Sequence, residues 1–210
     1  MALPPAAPTR KLQHRRSIAI EVFARGDGLW EVDAHLTDLR TREANLPSGT
    51  RPAGQPIHDM LLRLVVDERF NIVEAGAETL AMPYPGMCND YGDAYARLAG
   101  LNLMRRFRQG VKQRLGGVHG CTHITEMTQD LPTAVVQAFA GTVIDTRGDT
   151  DTAEQPFQID RCHALRADGE AVRIHYPRWY RQGAVSPGAD IAPQSTTSLL
   201  SPQPMQETSR

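Results

Sequence analysis

The chain has little of several residue types, and each scarcity argues against a class of protein. Its 210 residues include only 3 cysteines, an odd number, which argues against a disulfide framework. No run approaches the roughly 20 apolar residues that a membrane-spanning helix needs. The 23 Lys and Arg residues are balanced by 24 Asp and Glu residues, so no overall basic field points to nucleic acid. We therefore expect neither a membrane nor a nucleic-acid partner.

The first residues are Pro-rich and then basic, and they lack the apolar segment of a secretory signal. We therefore expect a cytoplasmic protein whose thiols stay free for metal or for catalysis. An unidentified small molecule or protein partner is consistent with this composition, and the sequence leaves the oligomeric state open.

Composition separates the two ends of the chain from a folded body. Residues 1–16 are predicted to be a flexible arm, and residues 17–182 a single domain. Residues 183–210 are rich in Ser, Pro, Gln and Thr, so they bury too little apolar surface to offset the entropy of ordering. We expect a disordered tail there.

The first half of the body has the pattern of β-strands. Apolar residues alternate in two runs on either side of the turn Arg25–Gly28: Ile18, Ile20 and Val22, then Trp30, Val32, Ala34 and Leu36. A Pro/Gly-rich loop, "LPSGTRPAGQP", follows. The stretch "MLLRLVVDERFNIVEAGAET" then predicts a hairpin with Asp67, Glu68 and Arg69 at its tip. Together these runs predict an antiparallel sheet of three to four strands.

The second half favours helices. We predict one helix in "DAYARLAGLNLMRRFRQGVKQRLGG" and another in "THITEMTQDLPTAVVQAFAG", restarted at Pro132 with Asp130 as its cap. The stretch "CHALRADGEAVRIHYPRWY" predicts a short strand pair, or a helix and a strand, around Asp168–Gly169. Strands first and helices later indicate an α+β fold with the helices packed on one face of the sheet.

Candidate ligand side chains gather at three boundaries between predicted elements. His58 and Asp59 stand where a strand begins, and Cys88 follows the hairpin in "MPYPGMC". The glycine-rich stretch "GGVHGCTHITEM" supplies the remaining candidates, which are Cys121, His123 and Glu126.

These residue types suit zinc or iron rather than calcium or magnesium. A cysteine at a helix N-terminus is favoured as the thiolate, and His123 and Glu126 lie three apart on one helix face. Taken singly, each group also has an ordinary structural role: a small buried residue for Cys88, a turn for His58 and Asp59, and a helix connection for the glycines.

The motifs "DGLWEV", "HDM", "PYPGMC", "GCTH" and "YPRWY" resemble those of a bacterial family of uncharacterised proteins, domain-of-unknown-function family 2889. The resemblance covers nearly the whole body. It implies no activity.

A more distant resemblance is to the U-type iron–sulfur cluster assembly scaffolds, carried by "GQPIHDM", the hairpin and "PYPGMC". In that comparison His58 stands near the first cysteine of the scaffolds, Asp59 near their aspartate, and Cys88 resembles their loop cysteine. Cys121 and His123 fall in the region of their His-Cys pair. The first cysteine is absent here, and the pair is Cys-x-His, so the resemblance implies a zinc or iron site of the same layout rather than cluster assembly.

Three functions stay open at this point, one of them not enzymatic. The first is a protein that binds zinc or iron through His58, Asp59, Cys88, Cys121, His123 and Glu126. The second is a metal-free cysteine-dependent enzyme, with Cys121 as nucleophile and a neighbouring histidine as base. The third is a non-catalytic module that binds a small molecule.

Overall fold

The computed structural model describes residues 3–147 and 154–182 of the chain. The chain forms two compact units, residues 1–147 and residues 148–210. The predicted single domain, 17–182, spans parts of both units, and the predicted tail lies outside the described residues. The last three residues of the predicted arm belong to the first strand.

The first unit is built on a four-stranded antiparallel sheet, which confirms the predicted α+β class. Its strands are β1 (His14–Ala24), β2 (Leu29–Arg40), β5 (Pro56–Asp67) and β6 (Ile72–Ala81), in the spatial order β1-β2-β5-β6. Each strand pairs with the next of the four along the chain, so tight turns connect β1 to β2 and β5 to β6. A two-stranded hairpin of β3 (Ala44–Leu46) and β4 (Gly49–Arg51) follows β2 in sequence, and β4 falls within the segment predicted as a loop.

Alternation along the strands decides which face is buried, as the sequence predicted. Successive side chains of a strand point to opposite faces. On β2 and β5 the residues with even numbers face the core and are fully buried: Val32, Ala34, Leu36, Met60, Leu62, Leu64 and Val66. Their odd-numbered neighbours include charged pairs such as Arg63 with Asp33, so the opposite face is largely polar.

Short helices cover the apolar face of the sheet. They are α1 (Phe107–Leu115), α2 (Thr122–Met127) and α3 (Leu131–Phe139), with 3-10 turns at Ala94–Leu98 and Gly117–His119. Their buried residues join the core formed by the sheet. The ring of Phe139 packs against those of Trp30 and Phe70, with ring centroids 4.9 Å apart in each pair. Among residues 3–147 and 154–182, no helix has the length and apolarity needed to cross a membrane.

The predicted helices are shorter than their propensity suggested, because the backbone breaks between them. Gly100 and Arg106 both have positive φ, at 81° and 50°, and such left-handed residues interrupt a helix. The predicted break near Pro132 is present, and α3 begins at Leu131. Asp130 is its N-cap residue, as predicted, although its side chain makes no capping hydrogen bond.

The described part of the second unit is helical. It contains 3-10 turns at His163–Leu165 and Pro177–Trp179 and the helix α4 (Glu170–His175), with Ile159, Ala167 and Val172 buried together. The predicted strand around Asp168–Gly169 is absent from residues 154–182. Arg173 pairs with Glu170 three residues before it, a spacing that supports a helix instead.

Candidate metal centre

One end of the buried face of the sheet is polar rather than apolar. Arg16 of β1 pairs in register with Asp38 of β2, and Asp38 pairs in register with His58 of β5. All three have even numbers and continue the core-facing rows of their strands. The three strands therefore place a cation, a carboxylate and an imidazole side by side beneath the helices.

Asp38 is the centre of this row, and its side chain is only 4 % exposed. Its Oδ1 accepts hydrogen bonds from Nε of Arg16 and Nε2 of His14, each at 2.9 Å. Its Oδ2 accepts from Nη2 of Arg16 at 2.8 Å and from Nδ1 of His58 at 3.0 Å. Burial alone would raise the pKa of Asp38, but the hydrogen bonds and charges of Arg16 and His58 outweigh it and lower the pKa to about 2.

The ionised Asp38 fixes the chemistry of His58. A carboxylate can only accept hydrogen bonds, so Nδ1 of His58 carries the hydrogen that joins them. In the neutral ring, the lone pair then lies on Nε2, which faces away from Asp38. A carboxylate behind a histidine in this way is the usual support of a metal-binding imidazole, or of a general base.

Helix α2 brings a second imidazole onto the first. The rings of His58 and His123 stack with their centroids 3.8 Å apart and their planes tilted by 31°. Burial, together with electrostatic interactions with His58 and Arg16, lowers the pKa of His123. The lower pKa favours the neutral ring, which is the form that binds metal ions.

Cys121 adjoins this pair at the start of α2. Its Sγ lies 3.9 Å from Nδ1 of His123 and 3.9 Å from Sδ of Met60. The buried hydroxyl of Tyr95 lies 2.9 Å from both the backbone N and the backbone O of Cys121, which fixes the position of the residue. The thiol is half-buried.

The structure brings some of the predicted site residues together and separates others. His58, His123 and Cys121 are neighbours. Glu126 is exposed and bonds Nη1 of Arg16 at 3.0 Å, so it lies at the rim of the cluster. Asp59 points to the opposite face of the sheet, where its Oδ1 is 2.7 Å from Nε2 of His35.

Cys88 lies in the turn after β6, half-buried, with its N–H donating to the carbonyl of Tyr84. Among the His, Cys, Asp and Glu side chains of residues 3–147 and 154–182, those close enough to share one ion form a single group of three: Asp38, His58 and His123. That group includes two of the six residues in the predicted metal set.

The predicted site did not include Asp38, Arg16 or His14, although the sequence contains a signal for them. The core-facing row of β2 begins Trp30, Val32, Ala34, Leu36, and its next member is Asp38. The row of β1 extends backwards from Ile18 to Arg16 and His14. A charged residue that continues an apolar row identifies a polar site at the end of a sheet.

The chain belongs to the family described as "Protein of unknown function (DUF2889)", whose match covers residues 14–137. The match therefore spans all the residues around the stacked imidazoles, from His14 to Glu126. This confirms the family predicted from the sequence. Searches of curated proteins and of solved structures found no match, and the comparisons support neither the resemblance to iron–sulfur scaffolds nor a bacterial origin.

Proposed function

We propose that this protein binds a divalent transition-metal ion, zinc or iron, through His58 and His123. The observation that carries the proposal is that one ligand atom from each of His58, His123 and Asp38 lies within 4.8 Å of the others, with the ionised, buried carboxylate of Asp38 holding His58 from behind. Two imidazoles and a nearby carboxylate suit zinc and iron, whereas calcium and magnesium prefer sites built from oxygen.

Asp38 acts mainly through His58 in this proposal. Its two oxygens already accept four hydrogen bonds, which fill the acceptor capacity of a carboxylate. It therefore orients His58, and it becomes a direct ligand only where Arg16 gives up one of its bonds. Two protein ligands leave coordination positions open to water or to a substrate, where an ion polarises a bound group.

Calorimetric titration of the untagged, metal-free protein with zinc tests the proposal. We expect stoichiometric binding that is lost in His58→Asn and in His123→Asn. The matched control is His35→Asn, because His35 is a histidine of the same sheet that also pairs with an aspartate, but on the opposite face. Equal binding by the His58 and His35 variants, or no binding by the parent protein, would contradict the proposal.

The predicted set can be tested in the same assay. Asp59→Asn and Cys88→Ser should leave zinc binding unchanged if the site is the histidine pair. A loss in either variant would favour the layout predicted from the scaffold resemblance instead.

A cysteine-dependent activity is the second candidate, because Sγ of Cys121 lies 3.9 Å from Nδ1 of His123. In this function His123 takes the proton of the thiol, and the thiolate attacks an electrophile. Labelling of the metal-free protein with iodoacetamide should then modify Cys121 faster than the exposed Cys162, and His123→Asn should remove that advantage. Equal rates at the two cysteines would contradict this second function.

A further inference from the structure

The thiol of Cys121 has a thioether on one side and the imidazole of His123 on another. Sγ of Cys121 lies 3.9 Å from Sδ of Met60 and 3.9 Å from Nδ1 of His123. The thiol is thus the shared corner of a cluster of one thiol, one thioether and one imidazole. All three groups bind metal ions.

Both distances from Sγ of Cys121 are close to those between two ligands of one ion. Metal–sulfur bonds of about 2.3 Å, at trigonal to tetrahedral angles, place two sulfurs about 3.7–4.0 Å apart. With metal–nitrogen bonds of about 2.0 Å, a sulfur and a nitrogen lie about 3.5–3.7 Å apart. The sulfur–sulfur distance lies in the first range, and the sulfur–nitrogen distance exceeds the second by only a few tenths of an ångström, so both neighbours of the thiol already lie near ligand spacing from it.

The donor types select the metal. Thioether and thiolate sulfurs are soft ligands that suit Cu(I), whereas zinc sites in proteins are built from Cys, His and Asp or Glu. Met60 is 1 % exposed, so its sulfur is shielded from water, while the half-buried thiol of Cys121 borders the solvent. An ion can therefore enter past the partly accessible thiol and then be shielded from water beside the buried thioether.

The geometry points to a Cu(I) site formed by Sγ of Cys121, Sδ of Met60 and Nδ1 of His123. This site goes beyond the proposed divalent centre, with which it shares only His123. Met60 follows His58 by two residues on the same face of β5, and Cys121 precedes His123 by two residues at the start of α2. Strand β5 and the start of α2 therefore each contribute to both centres. His58 and His123 bind the divalent ion, and Met60 and Cys121, together with His123, bind Cu(I).

Transfer of Cu(I) from the chromogenic chelator bicinchoninate tests the site. The parent is the full untagged chain with Cys88→Ser and Cys162→Ser, kept reduced without oxygen, so that Cys121 is its only thiol. We expect the parent to withdraw a stoichiometric amount of Cu(I), and Met60→Leu and Cys121→Ser to lose that ability. Met127→Leu is the matched control, because Met127 is a buried core methionine of α2.

The outcomes separate this inference from the divalent centre. Asp38→Asn should weaken zinc binding and leave Cu(I) binding unchanged, whereas Met60→Leu should do the reverse. Failure of zinc binding alone would contradict the proposed function and leave the copper site standing.

A parent that takes no Cu(I), or a folded Met60→Leu variant that takes as much as the parent, would overturn the inference. If Met60→Leu does not fold, X-ray absorption of the copper-loaded parent decides. A spectrum with two sulfur atoms bound to the copper supports the site, and a spectrum with fewer overturns it.

Discussion

Nδ1 of His58 donates a hydrogen bond of 3.0 Å to Oδ2 of Asp38, across directly paired positions of the two central strands β2 and β5. The bond joins a buried, ionised carboxylate to an imidazole whose other nitrogen is directed elsewhere. Because both residues sit on rigid strands, the orientation of the ring is set by the sheet rather than by a loop.

The first prediction concerns this bond. Asp38→Asn replaces the carboxylate with a neutral amide that supports His58 less well. Loss of such a supporting partner typically weakens metal affinity by about 10–100-fold, and we expect a zinc affinity lower by that factor in calorimetry. Asp59→Asn is the control, since Asp59 supports His35 on the opposite face in the same manner, and it should leave the affinity unchanged.

Arg16 should affect stability and metal binding in opposite directions. Arg16→Met removes two charge-assisted hydrogen bonds from the buried Asp38. We expect the free energy of unfolding to fall by about 1–2 kcal/mol. The loss is no larger because the side chain of Arg16 is 35 % exposed and solvent screens its charge. The same change removes a cation and frees carboxylate oxygens, so zinc should bind more tightly. Urea denaturation and calorimetry measure the two effects.

The control for Arg16 is Arg63→Met on the outer face of the sheet. Arg63 makes a comparable two-bond pair with Asp33, but it is 61 % exposed, and surface pairs contribute little. Its loss should change stability by about 0.5 kcal/mol or less and zinc affinity not at all. Weaker zinc binding in Arg16→Met would show that the guanidinium assists the site.

Tyr95→Phe should loosen the start of α2. Burial raises the pKa of Tyr95 to about 12, so its hydroxyl stays protonated and serves both as donor and as acceptor to the backbone of Cys121. Its removal leaves a buried N–H unpaired, which costs about 1–2 kcal/mol of unfolding free energy. Alkylation of Cys121 should also become faster. Tyr91→Phe, which loses one bond to Thr79, should leave the alkylation rate unchanged.

Asp67, at the turn between β5 and β6, should make the stability of the protein depend on pH. Burial would raise the pKa of Asp67, but hydrogen bonds from the side chain and backbone of Asn71 and from the N–H of Arg69 outweigh it and lower the pKa below the ordinary 3.8. The stabilisation by the ionised Asp67 is therefore fully present above pH 3.8, the pKa of this group in the unfolded chain. It is lost as the pH falls through the lower pKa of the folded protein.

We expect wild type to exceed Asp67→Asn in unfolding free energy by about 1 kcal/mol at pH 6. The gap should narrow as the pH falls below 3.8. Denaturation at a series of pH values measures it, with Glu68→Gln, exposed at the same turn, as the control for a change of charge alone. A gap that is constant across the acidic range would contradict the role given to Asp67.

Much of the fold follows from local patterns. Alternation in β1 and β2 and the tip of the hairpin at Asp67 were predicted because strand period and turn residues are local properties. The helix boundaries were less accurate, since left-handed residues such as Arg106 reflect tertiary packing that helix propensity does not contain.

The site was only partly predictable, for a related reason. Each of these residues could have an ordinary structural role on its own strand. The polar site forms only because the strand register places Arg16, Asp38 and His58 side by side across three strands. The order of strands and their register depend on the whole sheet. Asp59 was chosen because it adjoins His58 in sequence, yet adjacent residues of a strand face opposite ways.

The ion pair between Arg16 and Glu126 joins residues 110 positions apart, one on an edge strand and one on the short helix α2. His58 and His123 likewise meet only when the sheet and that helix are both in place. An ion bound by both imidazoles would therefore cross-link the sheet and the helix. It would bind only to the folded state, so each increment of free ion would raise the melting temperature of the whole unit together.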